Sequence, residues 1–167
     1  PAGLTASSTV AVTVSDVPPP PPFSFVTRGS AVATATPGTF TITPATVVQT
    51  GAVISTTRLD LGASFTMNFE LFLGASDSGS DGVALVLQAA LPAVLPSGGG
   101  SDLGYRGIPN GLAVEFDTFN STAAYQDIAA DHLAFHNTAS GARLGGAVAL
   151  PNLENNAWHG VAVSWNA

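Results

Sequence analysis

Gly111-Leu-Ala-Val-Glu-Phe-Asp-Thr-Phe-Asn120 is the stretch whose reading decides the fold. Side chains along a strand alternate between two faces, so Leu112, Val114 and Phe116 share one side while Glu115 and Asp117 share the other. The first side is a core face. The second sets two carboxylates side by side on an otherwise apolar strand, which costs free energy unless a proton or a cation neutralises them. A hard divalent cation, with about six to eight oxygen ligands, is a natural partner, and residues 120–130 supply further oxygens. For an isolated Glu-x-Asp the bland alternative is a solvated sheet face.

Outward from this strand the pattern repeats. His132-Leu-Ala-Phe-His136 reads as a second strand, with Leu133 and Phe135 toward the core and His132, Ala134 and His136 on the opposite face, where His132 joins the carboxylates. A carboxylate-rich site with one imidazole accepts calcium at its all-oxygen part and a transition ion such as manganese at the histidine. Six of the eleven acidic residues (Asp81, Asp102, Glu115, Asp117, Asp127 and Asp131) fall between positions 81 and 131. Upstream, Phe65-Thr-Met-Asn-Phe-Glu-Leu71 alternates cleanly, whereas Val83-Ala-Leu-Val-Leu87 is continuously apolar and is expected to be buried on both sides. Short β-prone runs separated by Gly, Pro, Asn and Ser, with no helical period, predict an all-β sandwich or jelly roll of antiparallel sheets.

Composition narrows the partners. Only 9 % of the 167 residues are charged, against roughly a quarter in an average soluble domain. Four arginines and no lysine oppose eleven acids, and the net charge of −7 repels phosphate backbones and anionic lipid, so nucleic acid is not an expected partner. The absence of cysteine excludes disulfides and thiolate metal sites. No apolar stretch approaches the length of a membrane span, so no membrane insertion is expected. Thr9-Val-Ala-Val-Thr-Val14 alternates as an exposed strand, and the proline run 18–22 favours a stiff polyproline spacer. The expected organisation is the last strand of a preceding repeat over 1–17, resembling immunoglobulin-like or cadherin-like repeats of bacterial surface proteins, a linker over 18–22, and the main domain over 23–167. The chain opens at Pro1 and reads as a piece of something longer.

Four motifs in order carry a more specific resemblance. Ser80-Asp-Gly-Val-Ala-Leu-Val-Leu-Gln88, Gly98-Gly-Gly-Ser-Asp-Leu-Gly-Tyr105, the strand 111–120, and Asp127 with His132 are together similar to the motifs of legume-type (L-type) lectins. Trp158-His-Gly-Val-Ala-Val-Ser-Trp165 resembles a further strand of concanavalin A-like β-sandwiches. The resemblance covers residues 23–167 and implies a concanavalin A-like β-sandwich incomplete at the C-terminus, with glycans as partners. It implies a transition ion on Glu115, Asp117, Asp127 and His132, and calcium bridged by Asp117 and Asp127 and completed by the Phe119 carbonyl and the Asn120 side chain. It also implies a cis peptide at Ser80–Asp81, with Asp81 as the sugar-hydroxyl acceptor. Beside Asp81, amide donors at Asn120 and in the loop near Gly99 and Gly100, and the aromatic face of Phe119, suit hydroxyl recognition.

This chain departs from the family pattern where Asn120 stands one position early and Ser121 occupies the usual asparagine place. Asp131, beside His132, is an alternative to Asp127 as ligand. His136 and His159 are assigned structural roles. The expected function is calcium-dependent carbohydrate binding by an extracellular, adhesin-like bacterial surface protein. A non-catalytic, calcium-stiffened structural module is the alternative. A glycoside hydrolase of the same fold is disfavoured, because Phe119 stands where the second catalytic acid of a Glu-x-Asp-x-Glu strand has to be.

Overall fold

The structure is a computed structural model that describes residues 23–89, 99–121 and 127–167. The strand expected at 9–14, the proline run and Gly98 lie outside the described residues. Among the described residues ten strands run in chain order: β1 (Phe25–Gly29), β2 (Val32–Ala33), β3 (Phe40–Thr41), β4 (Gly51–Ser55), β5 (Phe65–Phe72), β6 (Gly82–Gln88), β7 (Gly111–Asp117), β8 (His132–Asn137), β9 (Val148–Ala149) and β10 (Trp158–Trp165). A single 3-10 turn, Gly100–Asp102, is the only helical element among the described residues, and none of their helices is long and apolar enough to cross a membrane. All pairings are antiparallel: β6-β7-β8-β9 form a four-stranded sheet, and β1 with β4, β2 with β3 and β5 with β10 form two-stranded ones.

The β5–β10 pair packs face to face on the four-stranded sheet. Val114 and Phe116 of β7, with Leu153, are the buried centre. Phe69 and Leu71 of β5, Val161 of β10, Val83 and Leu85 of β6 and Leu133 of β8 close around it. Burying a side chain of this size stabilises by roughly 1.5–3 kcal/mol. The alternation of β5 holds, with Phe65, Met67, Phe69 and Leu71 turned inward and Thr66, Asn68, Glu70 and Phe72 outward. β7 is buried on both faces from Ala113 to Asp117 because β6 and β8 flank it and loops cover its polar side.

Two expectations need correction. Val83–Leu87 is half-buried throughout, not fully buried, because among the described residues β6 is an edge strand paired only with β7. Phe135 shares the face of Leu133 but is 43 % exposed, since the packed cluster ends at Leu133.

Candidate functional site

The register of the four-stranded sheet builds the site. Asp117 pairs with His132, Glu115 with Ala134 and Ala113 with His136, so Glu115 lies diagonally between two histidines on the face away from the core. Ala113 and Ala134, both fully buried, keep that face low enough for the longer side chains to converge over it. On the other edge Asp117 pairs with Gly82. A Cβ at Gly82 would sit 2.2 Å from the Phe116 carbonyl oxygen, and its φ of +129° is open only to glycine, so this residue allows β6 to start hard against β7. The approach places Asp81 beside the end of the carboxylate strand, where its carbonyl accepts from the Thr118 N–H at 3.1 Å. The Ser80–Asp81 peptide is cis.

Glu115, Asp117 and His132 are all buried, and each offers a ligand atom within 4.8 Å of the others. Nε2 of His132 lies 3.9 Å from Oε1 of Glu115 and 3.8 Å from Oδ1 of Asp127. Its Nδ1–H donates to the Ala130 carbonyl at 3.1 Å, which fixes the tautomer and leaves the Nε2 lone pair facing the carboxylates. That atom is buried and has no hydrogen-bond partner. Burial pushes the Asp117 carboxyl up to about 7, and the charges of Asp127 and Glu115 push the same way, against the Phe119 N–H and His132. Crowded, desolvated carboxylates around an imidazole lone pair without a partner fit a bound cation, so this group can hold a metal ion.

The loops set the remaining residues. The Phe119 N–H donates to Oδ1 of Asp117 at 2.7 Å, and the Ser121 N–H to Oδ2 of Asp127 at 2.8 Å. Asp131 points elsewhere: its Oδ2 accepts from the Leu153 N–H at 2.6 Å, so Asp127 is the one of the two that faces His132. Asp81 is half-buried, and burial raises its carboxyl above the ordinary range. A Cβ at Gly100 would lie 3.9 Å from Oδ2 of Asp81, which puts the glycine loop beside that carboxylate, and the Ser101 hydroxyl ties the loop to Ser121. Gly99 and Asn120 are exposed on the same set of loops, and Phe119 is 48 % exposed, a free ring face and not a core aromatic.

Two residues outside the sequence-derived set complete the cluster. The Tyr105 hydroxyl donates to Oε2 of Glu115 at 3.0 Å, and burial followed by the charge of Glu115 raises its pKa strongly. Nε2 of His136 lies 2.7 Å from Oε1 of Glu115, while its Nδ1–H donates to the Gly141 carbonyl at 3.1 Å. Burial opposes the charged imidazole, but Glu115 and the Gly141 carbonyl outweigh it and the net shift is upward. The placement of His136 on the metal-facing side follows from strand period, whereas Tyr105 ends the glycine-loop motif 98–105 with no spacing that ties it to Glu115. A cavity of about 400 Å³ opens between these groups, lined by Tyr105, Glu115, Asp117, Asp127, His136 and Arg143 among others. His159 is engaged elsewhere, with Nε2 3.0 Å from the Leu153 carbonyl and 3.1 Å from Oδ1 of Asn155.

A family model described as the legume lectin beta-barrel domain matches residues 21–167. Among curated proteins, the chain is 36 % identical over 96 residues to the pesticidal crystal protein Cry22Aa of Bacillus thuringiensis. That match covers 57 % of this chain but only 13 % of the relative, so the chain spans a small part of that protein's length.

Proposed function

The chain belongs to the legume lectin β-barrel domain family, and from that premise we propose that it binds carbohydrate at a site organised by divalent cations. In this reading Glu115, Asp117, Asp127 and His132 hold a transition ion such as manganese. Asp117 and Asp127 are shared with calcium, whose shell the Phe119 carbonyl and Asn120 complete. Calcium then fixes the loop 118–121 against Asp81. Asp81 accepts two sugar hydroxyls, amides of Gly99, Gly100 and Asn120 donate, and the exposed ring of Phe119 covers an apolar sugar face.

The observation that carries the reading is the position of Asp81. It is joined by its carbonyl to the strand end that bears the carboxylates, and the glycine loop stands beside its side chain. A module that used cations only for stiffness needs the carboxylates but has no use for a hydroxyl acceptor between them and a glycine loop. Catalysis is not part of the proposal, because Tyr105 holds one oxygen of Glu115 and Phe119 supplies no acid. The chemistry suits calcium-rich surroundings, and we place the protein outside the cell, on a bacterial surface.

The test is glycan-array binding by this chain in calcium, in chelator and with Asp81→Ala. Binding that needs calcium and is lost in Asp81→Ala, with the calcium-induced rise in Tm retained, is the expected result. A calcium-induced rise in Tm without any glycan bound would transfer the function to the structural reading. Binding that survives chelation would remove the cation from it.

A further inference from the structure

His136 is the part of the cluster that the proposed ligand set leaves unused. Its imidazole is 5 % exposed, and Nδ1–H is committed to the Gly141 carbonyl, so in the neutral ring the lone pair sits on Nε2. That lone pair is 2.7 Å from a carboxylate oxygen, Oε1 of Glu115, yet is not aligned as a hydrogen bond and has no other partner. His132 repeats the arrangement, with its Nδ1–H on the Ala130 carbonyl and its Nε2 directed at the same Oε1 from 3.9 Å. Two buried imidazoles thus present lone pairs to one carboxylate oxygen. Tyr105 holds the second oxygen of Glu115, which leaves Oε1 as the atom turned toward both rings.

Lone pairs facing a carboxylate repel it unless a proton or a metal ion lies between them, and neither Nε2–Oε1 contact is aligned as a hydrogen bond through a proton. Two N or O ligands of one first-row ion, each about 2.0–2.2 Å from it, lie no more than about 4 Å apart, and the separations of 2.7 Å for His136 and 3.9 Å for His132 from Oε1 are within that reach. Backbone carbonyls that fix the Nδ1–H tautomer are the usual outer partners of metal-binding histidines.

We propose that His136 is a second imidazole ligand of the transition-ion site, alongside His132, with Glu115 as the carboxylate they share. The inference rests on the cation reading above and sharpens it. Two imidazoles with carboxylates favour borderline ions such as Zn²⁺, Co²⁺, Ni²⁺ and Cu²⁺, whereas calcium, an oxygen-binding ion, gains nothing from either ring. The site therefore selects a nitrogen-preferring divalent ion over manganese.

The metal-stripped chain is loaded with one equivalent of Cu²⁺, and the bound imidazoles are counted by pulsed electron paramagnetic resonance. Two are expected in the unmutated chain, and one each in His136→Gln and His132→Gln. Calorimetric titration with Zn²⁺ should show affinity falling about 10-fold or more in His136→Gln, with calcium affinity unchanged. The count in the unmutated chain does not depend on any variant folding. A single imidazole there, or zinc affinity that stays level or rises in His136→Gln, would overturn the inference and leave a one-histidine site standing. A chain that takes up no copper, zinc or calcium would bring down the cation reading along with it.

Discussion

Calcium affinity should depend on pH in a range where ordinary carboxylates do not titrate, and the Asp117 carboxyl sets the size of the effect. In the metal-free protein burial and its acidic neighbours push this group up to about 7. A calcium ion needs the carboxylate and must expel the proton, so the apparent affinity scales with the ionised fraction. That fraction is roughly 0.9 at pH 8 and 0.1 at pH 6, which predicts a fall in calcium affinity of about 10-fold, or about 1.4 kcal/mol. A carboxyl at its unperturbed value would change affinity by only about 1 % over the same range. Calcium is the right probe because it does not use the imidazoles, so their protonation does not enter directly. The assay is calorimetric titration at pH 8, 7 and 6 in two buffers of different ionisation heat, which should also show about half a proton released per ion at pH 7. The sign in the metal-free protein is opposite. Because folding raises this pKa, the group's stabilising contribution is full below its unfolded pKa and is lost as pH rises through about 7, so chelated protein should melt higher at pH 5 than at pH 8 on this account. Equal calcium affinity at pH 8 and pH 6, with no buffer-dependent heat, would refute the claim that Asp117 is desolvated among like charges.

Two further predictions concern the scaffold. Gly82→Ala drives a Cβ into the Phe116 carbonyl at a φ of +129°, and should cost roughly 3 kcal/mol or more and erase the calcium-induced rise in Tm. Gly160→Ala meets nothing within 4 Å and should stay within about 0.5 kcal/mol, so comparable losses in both variants would contradict the close approach of β6 to β7. Val114→Ala, at the buried centre between the sheets, should lower stability by about 2 kcal/mol in urea denaturation with the slope m unchanged. A loss under about 0.5 kcal/mol would mean that the β5–β10 pair does not seal that face.

What can be read from the sequence, and what cannot, divides along a physical line. Strand period is imposed by the backbone, so Glu115 and Asp117 on one face of their strand, Val114 and Phe116 on the other, and both histidines on the face of β8 away from Leu133 are legible in the sequence. The number of neighbours a strand has is not encoded by its own period, which is why an apolar run such as Val83–Leu87 looks central while lying at an edge. The partners of a charge are set by loops, whose paths no period describes. Tyr105 reaches Glu115 through a turn in which Gly100, Leu103 and Gly104 all have positive φ, and no spacing rule connects it to a residue ten positions on. Asp127 and Asp131 are alike by composition, and the difference between them is that the Leu153 N–H, more than twenty residues downstream, occupies Asp131. The case of His136 is sharper still, because its face is predictable but its chemistry depends on a tautomer fixed by the carbonyl of Gly141 in the following turn. The sheet therefore decides which charges meet, while the loops around it decide whether a proton or a metal ion reconciles them.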